Sequence, residues 1–230
     1  MKMYFLVEGN STEKKVYPEW LKILIPGIEQ HLSYDDFRKS EQGFFLFSGQ
    51  GYPSILNHIS NSVSDINDAG DVNFFFVVLD CDESSVEERE KEVIEKVTSA
   101  NLNESTECHV IVQKRCFETT LLGNEKVISR QPNTEKMRTY SQYYNVVLND
   151  PEEMGNYSDK FTHSQFHEAY IRAALVEKRV KYSKSNPKEI MSKTYFDELI
   201  KRISSTEHLE SFNSFVSKIS QIKETYMPED

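Results

Sequence analysis

No stretch of this chain is apolar for long enough to cross a membrane. Charges follow the first short apolar run at once, which argues against a secretory leader. Cysteine is scarce: Cys81, Cys108 and Cys116 form no CxxC pair, so neither a disulfide framework nor a zinc ribbon is encoded. Reduced thiols in a cytoplasmic protein are expected. No GxxxxGK[ST] occurs, so the chain has no P-loop, and any ATPase function must come from a partner. HExxH, a Ser-His-Asp signature, internal repeats and low-complexity tracts are also missing.

What is present suits a globular chain of one large domain or a domain with an appendage. The 230 residues include 14 Phe and 12 Tyr, enough to fill a core. The net charge of −10 is unevenly spread. Residues 1–159 carry 15 Lys and Arg against 27 Asp and Glu, whereas residues 160–226 carry 12 against 8. That segregation allows a local electrostatic footprint for an anionic polymer, although charges solvating helices would give the same count.

Apolar runs at 4–8, 44–47, 74–79 and 109–112 read as buried strands. Between them, 3/4-spaced apolar residues predict helices: Val16, Trp20, Leu21 and Leu24; Ile55, Ile59 and Val63; Val86, Val93 and Val97. The alternation predicts an α/β fold, a parallel sheet flanked by helices with right-handed crossovers. From Thr162 on, helices dominate, over 163–179, 187–203 and 207–226. The expected division is 1–125 for the sheet domain and 126–230 for a mainly helical C-terminal portion.

The first and third runs end in carboxylates: Val7-Glu8-Gly9 and Leu79-Asp80-Cys81-Asp82. Ligands of such sheets bind beyond the carboxyl ends of the strands. Glu8, Asp80 and Asp82 gathered there would repel one another unless a cation sat between them. Hard oxygen ligands point to Mg²⁺. Ordinary solvated acids are the plainer alternative. Glu118 follows the fourth strand and is either a further ligand or an acid at a helix N-terminus. Glu13 and Glu83 are lesser candidates, Glu83 as the start of a helix. Gly49 and Gly51 read as a plain turn, and His163 with His167 as chance i, i+4 spacing rather than a zinc pair.

These residues resemble the TOPRIM fold, the metal-binding domain of topoisomerases, primases and several nucleases. Its pattern is a Glu after the first strand and a DxD after the third, here Glu8, Asp80 and Asp82. Cys116-Phe117-Glu118-Thr119-Thr120-Leu121-Leu122 resembles a stretch of RloB-like and OLD-type (overcoming lysogenization defect) proteins, with Thr120 where a Trp is usual. Tyr182-Ser183-Lys184 resembles their later Tyr-x-Lys segment.

The resemblance implies a nuclease hydrolysing DNA or RNA with one or two Mg²⁺ or Mn²⁺ ions, in anti-phage defence beside an ATPase partner. A homo-oligomer fits the same picture. Glu8, Asp80 and Asp82 would bind metal, Glu8 also carrying a proton. Glu118 would hold a second ion, and Lys184 would stabilise phosphate charge. Lys114, Arg115 and Lys181, with Lys184, would hold the nucleic-acid backbone. A primase-like nucleotidyl transferase and a non-catalytic regulatory or binding subunit are the rival readings.

Overall fold

The continuous apolar runs become buried strands. In the computed structural model, which describes residues 1–226, β1 (Lys2–Val7), β2 (Gln30–His31), β3 (Gly43–Ser48), β4 (Phe74–Asp80) and β5 (Glu107–Gln113) form one parallel sheet. Its order is β2-β3-β1-β4-β5. The helices are α1 (Glu13–Leu24), α2 (Tyr34–Lys39), α3 (Ser54–Ala69), α4 (Val86–Ser99), α5 (Phe117–Leu121), α6 (Glu135–Tyr143), α7 (His163–Glu177), α8 (Lys193–Ser205) and α9 (Glu210–Tyr226). The protein is α/β, and no strand occurs after β5 among the described residues. No helix among them is long and apolar enough to cross a membrane.

Contacts divide the chain into two compact units, and neither follows a single cut at 125/126. One holds residues 1–79, 86–112 and 215–226 of the described chain; the other holds 80–85 and 113–214. The 80–85 segment joins the later residues because its backbone bonds there: Cys81 N–H donates to Gln113 O at 3.0 Å and Asp82 N–H to Arg115 O at 2.8 Å.

In the first unit β1 is central and buried throughout, registered with β3 on one side and β4 on the other. Alternate side chains of a strand point to opposite faces. Phe5 therefore stacks on Phe76 at 4.6 Å, whereas Tyr4 meets Phe45 and Phe75 edge-on at 5.3 and 5.8 Å. Helix α3 buries Ile55, Ile59, Val63 and Ile66 and ends at Gly70, whose φ of 74° is the left-handed helix stop that glycine takes without strain. The sequence reading lacked β2 and α2. β2 is two half-buried polar residues with no apolar run to reveal it, and α2 is a six-residue turn capped by Ser33.

In the second unit Tyr140 of α6 and Phe166, Tyr170 and Ile171 of α7 form an aromatic core, with Tyr140 and Phe166 edge-to-face at 5.0 Å. The helix expected from 187 starts only at Lys193. Ser192 accepts the Tyr195 N–H and caps it there. Buried Arg202 of α8 donates to the carbonyls of Val146, Val147 and Asn149, tying down the chain that follows α6.

Candidate carboxylate site

Glu8 belongs to the first unit. It directly follows β1, its N–H donates to Val78 O at 2.9 Å, and its Oε1 accepts the Tyr52 N–H at 3.1 Å. Gly51, at φ 90°, donates its N–H to Glu8 O at 2.9 Å, and a Cβ at Gly49 would lie 2.6 Å from Ile55 Cβ. The GxG turn thus exists to pass close to α3 and to wrap Glu8.

The second unit collects the other sequence-predicted carboxylates. Asp80 Oδ1 accepts from Gln113 Nε2 at 3.0 Å. Asp82 takes a left-handed backbone at φ 49°, and its Oδ1 accepts from the Ser164 hydroxyl. Arg115, also left-handed at φ 72°, donates from Nη1 to Asp82 O at 3.2 Å and from its N–H to Cys81 Sγ at 3.1 Å. Left-handed conformations at non-glycine residues cost on the order of 1 kcal/mol each, so this corner is held by its hydrogen bonds.

Glu83 precedes α4 instead of starting it. It accepts from His163 N–H at 2.7 Å and pairs with His163 Nδ1 at 2.5 Å. Burial opposes its charge, but the two His163 contacts overcome this and hold its carboxyl below the usual range. Asp82 and Glu83 therefore both dock on the first turn of α7, where unpaired N–H groups favour negative charge. Thr162 caps the same turn with Gln165 in a reciprocal box.

His167 is buried and fully engaged. Nε2 donates to Met154 O at 3.0 Å, so Nδ1 accepts from the Thr119 hydroxyl at 2.7 Å. Burial pushes its pKa down to about 4. With both ring nitrogens used, no zinc pair forms with His163.

Glu118 is 6% exposed near the start of α5. Lys184 Nζ lies 3.5 Å from its Oε1 and 2.9 Å from Glu168 Oε2, and Arg172 Nε donates to Glu168 Oε1 at 2.7 Å. Burial raises the pKa of Glu118, with Lys184 pulling down and Glu168 pushing up. Glu168 is buried less deeply, and its two cations lower its pKa against that burial. Glu168 thus carries the negative charge more firmly and Glu118 is the weaker acid. Burial works against the Lys184 ammonium too, but Glu118 and Glu168 hold it well above its ordinary value. The Cys116 thiol is pushed up by burial and by the charges of Glu118 and Asp80.

Other expected cations are engaged locally. Lys114 pairs with Glu153, and Arg115 serves the 81–82 corner. Lys181 is exposed. The sequence reading missed Gln113, Ser164 and Glu168, and it set His163 aside as chance spacing where the structure pairs it with Glu83. The Thr162-x-x-Gln165 box and the Glu168–Arg172 i, i+4 pair were the available signals. Nothing local marks Gln113 or Ser164, since their carboxylate partners lie 33 and 82 residues away.

Asp80 and Asp82 are hard oxygen donors, each oriented by an uncharged hydrogen-bond donor. That donor set fits Mg²⁺ better than zinc. Among the described residues no group of three or more His, Cys, Asp or Glu side chains is arranged to hold an ion. Mg²⁺ commonly keeps several waters and takes only one or two protein carboxylates. Comparison with family models, curated proteins and solved structures finds no match to this chain.

Proposed function

We propose that this chain is a Mg²⁺-dependent nuclease of the TOPRIM kind, hydrolysing phosphodiester bonds of DNA or RNA. The observation that supports it most is the Asp80–Asp82 pair at the carboxyl end of β4, oriented by Gln113 and Ser164, in the unit that also holds the Glu118–Lys184–Glu168 cluster. Bound Mg²⁺ or Mn²⁺ would supply charge neutralisation at the scissile phosphate and a more acidic attacking water. Asp80 and Asp82 would hold the hydrated ion, with Glu8 as the third carboxylate expected from the sequence and carrier of the water's proton. Glu118 is the candidate ligand for a second ion. Lys184, shared between two carboxylates, would turn toward a phosphate once a cation takes over Glu118. A role in anti-phage defence beside an ATPase partner belongs to the same reading.

A non-catalytic subunit is the second reading. Docking of Asp82 and Glu83 on the start of α7 supports it, because that contact gives both acids a structural use.

Incubation with plasmid, single-stranded DNA and total tRNA in Mg²⁺ or Mn²⁺ separates the two. Cleavage lost in Glu8→Gln and Asp80→Asn, both still folded, is the expected result. Undiminished cleavage by both variants overturns the proposed site, and no cleavage by wild type in any condition favours the subunit.

A further inference from the structure

The second unit carries a cavity that shares no residue with the carboxylate cluster. It has a volume of about 540 Å³ between the chain after α5 and helix α8. Lys126, Arg130, Lys178 and Lys201 line it, all exposed and none in an ion pair among the described residues. Buried Arg202 also lines it, with Glu125 and Glu198 as the acids. Arg202 is 2% exposed and spends its guanidinium on Glu125, three backbone carbonyls and His208 Nδ1, while its Nε has no hydrogen-bond partner. Its position is therefore fixed, and one carboxylate is all that offsets its charge.

Five cations against two carboxylates around one concavity leave a strongly positive potential in a protein of net charge −10. Low-dielectric walls focus such a field. Four like charges lining one cavity repel, and an anion bearing several charges relieves that repulsion. The volume lies within the range of small-molecule sites, and Ile128 adds an apolar wall. A half-open concavity of this size can take in a compact ligand whole.

We propose that this cavity binds a polyphosphate-bearing small molecule of nucleotide size. The phosphates would sit among Lys126, Arg130 and Lys201, with Arg202 fixed behind them, and the organic part would lie against Ile128. The proposal stands apart from the metal site, because neither the carboxylates nor cleavage enters it.

Isothermal titration with inorganic tripolyphosphate in EDTA, then with a nucleoside triphosphate, tests it. The expected result is saturable one-to-one binding that weakens as NaCl rises and falls at least tenfold in the triple variant Lys126→Ala, Arg130→Ala, Lys201→Ala. These side chains are on the surface, so an unchanged melting temperature and circular dichroism spectrum certify that variant. Tighter binding of the nucleoside triphosphate than of tripolyphosphate supports the apolar wall's part, and an Ile128→Ser variant should remove that difference. Three results overturn the proposal: no saturable binding of either probe, equal affinity in the triple variant, or binding of a single-stranded oligonucleotide with none of the small polyphosphates. The last would make the cavity part of a nucleic-acid surface.

Discussion

Lys184 Nζ stands between two carboxylates of unequal acidity, 2.9 Å from Glu168 and 3.5 Å from nearly buried Glu118. Removing the lysine leaves Glu118 with burial and the Glu168 charge both acting against its ionised form. Lys184→Ala should therefore destabilise the fold at neutral pH by about 1–2 kcal/mol, less than a fully buried pair would lose because the lysine is half exposed. A folded carboxyl with a raised pKa keeps its stability below the unfolded pKa and loses it as pH rises through the folded one. The variant should thus converge on wild type in acid and diverge above it. Urea unfolding from pH 4 to 8 measures this, and a constant gap across that range would show that the ion pair is not its origin.

Two buried groups around one 3-10 turn titrate in opposite senses. Glu152, in the turn Pro151–Glu153, is pushed up by burial to about 7 in spite of Ser211 donors, while His167, bonded to Met154 O just after it, is pushed down to about 4. Glu152 costs stability as pH rises from the ordinary glutamate value of 4.5 to about 7, and His167 returns stability as pH rises from about 4 to the ordinary histidine value of 6.5. Each is worth roughly 3 kcal/mol at its limit. Wild type should be nearly flat across the shared window. Glu152→Gln should show stability climbing with pH, His167→Gln should show it falling, and the double variant should be flat again. Parallel profiles for all four proteins would contradict the assignment.

Ser164 and Gln113 act through the aspartates they orient. Ser164→Ala and Gln113→Ala should each weaken Mn²⁺ affinity about tenfold, at the mild end of what such supporting partners contribute, and cleavage should fall with it. Restoring cleavage by raising Mn²⁺ separates this role from direct chemistry. Ser164→Thr, which keeps the hydroxyl, should retain most of the affinity. Unchanged metal affinity in both alanine variants would remove the two residues from the site.

Cys81 and Cys116 are buried, and burial raises the thiol pKa of Cys108 to about 12. Since the thiolate is the reactive form, the native protein should react slowly with Ellman's reagent at pH 7.5, and all three thiols should appear only on unfolding. Rapid labelling of the native chain at half-buried Cys108 would contradict its raised pKa.

The sheet was legible because β1, β3, β4 and β5 each carry an unbroken apolar run, Met3–Val7, Phe44–Phe47, Phe74–Leu79 and Val110–Val112. The carboxylates were legible because Asp80 and Asp82 break such a run at its last residues. β2 carries two polar residues and earns its place only through register with Phe44 and Phe45 of β3. The contacts of Asp82 with Ser164, Glu83 with His163 and Glu118 with Lys184 join residues 66 to 82 positions apart, and no local periodicity encodes them. The start of α7 was partly visible in Thr162, whereas the acids that receive it were not.

The corner formed by Asp82 and Arg115 sets backbone preference against side-chain identity twice over. Glycine would adopt either conformation without strain. The chain places instead an acid and a base there, each costing conformational free energy that folding alone does not require. The Arg115 guanidinium bonds the Asp82 carbonyl, so the two strained positions hold each other. Backbone conformation and side-chain hydrogen bonding are therefore coupled at this corner, and a substitution at either residue alters both at once.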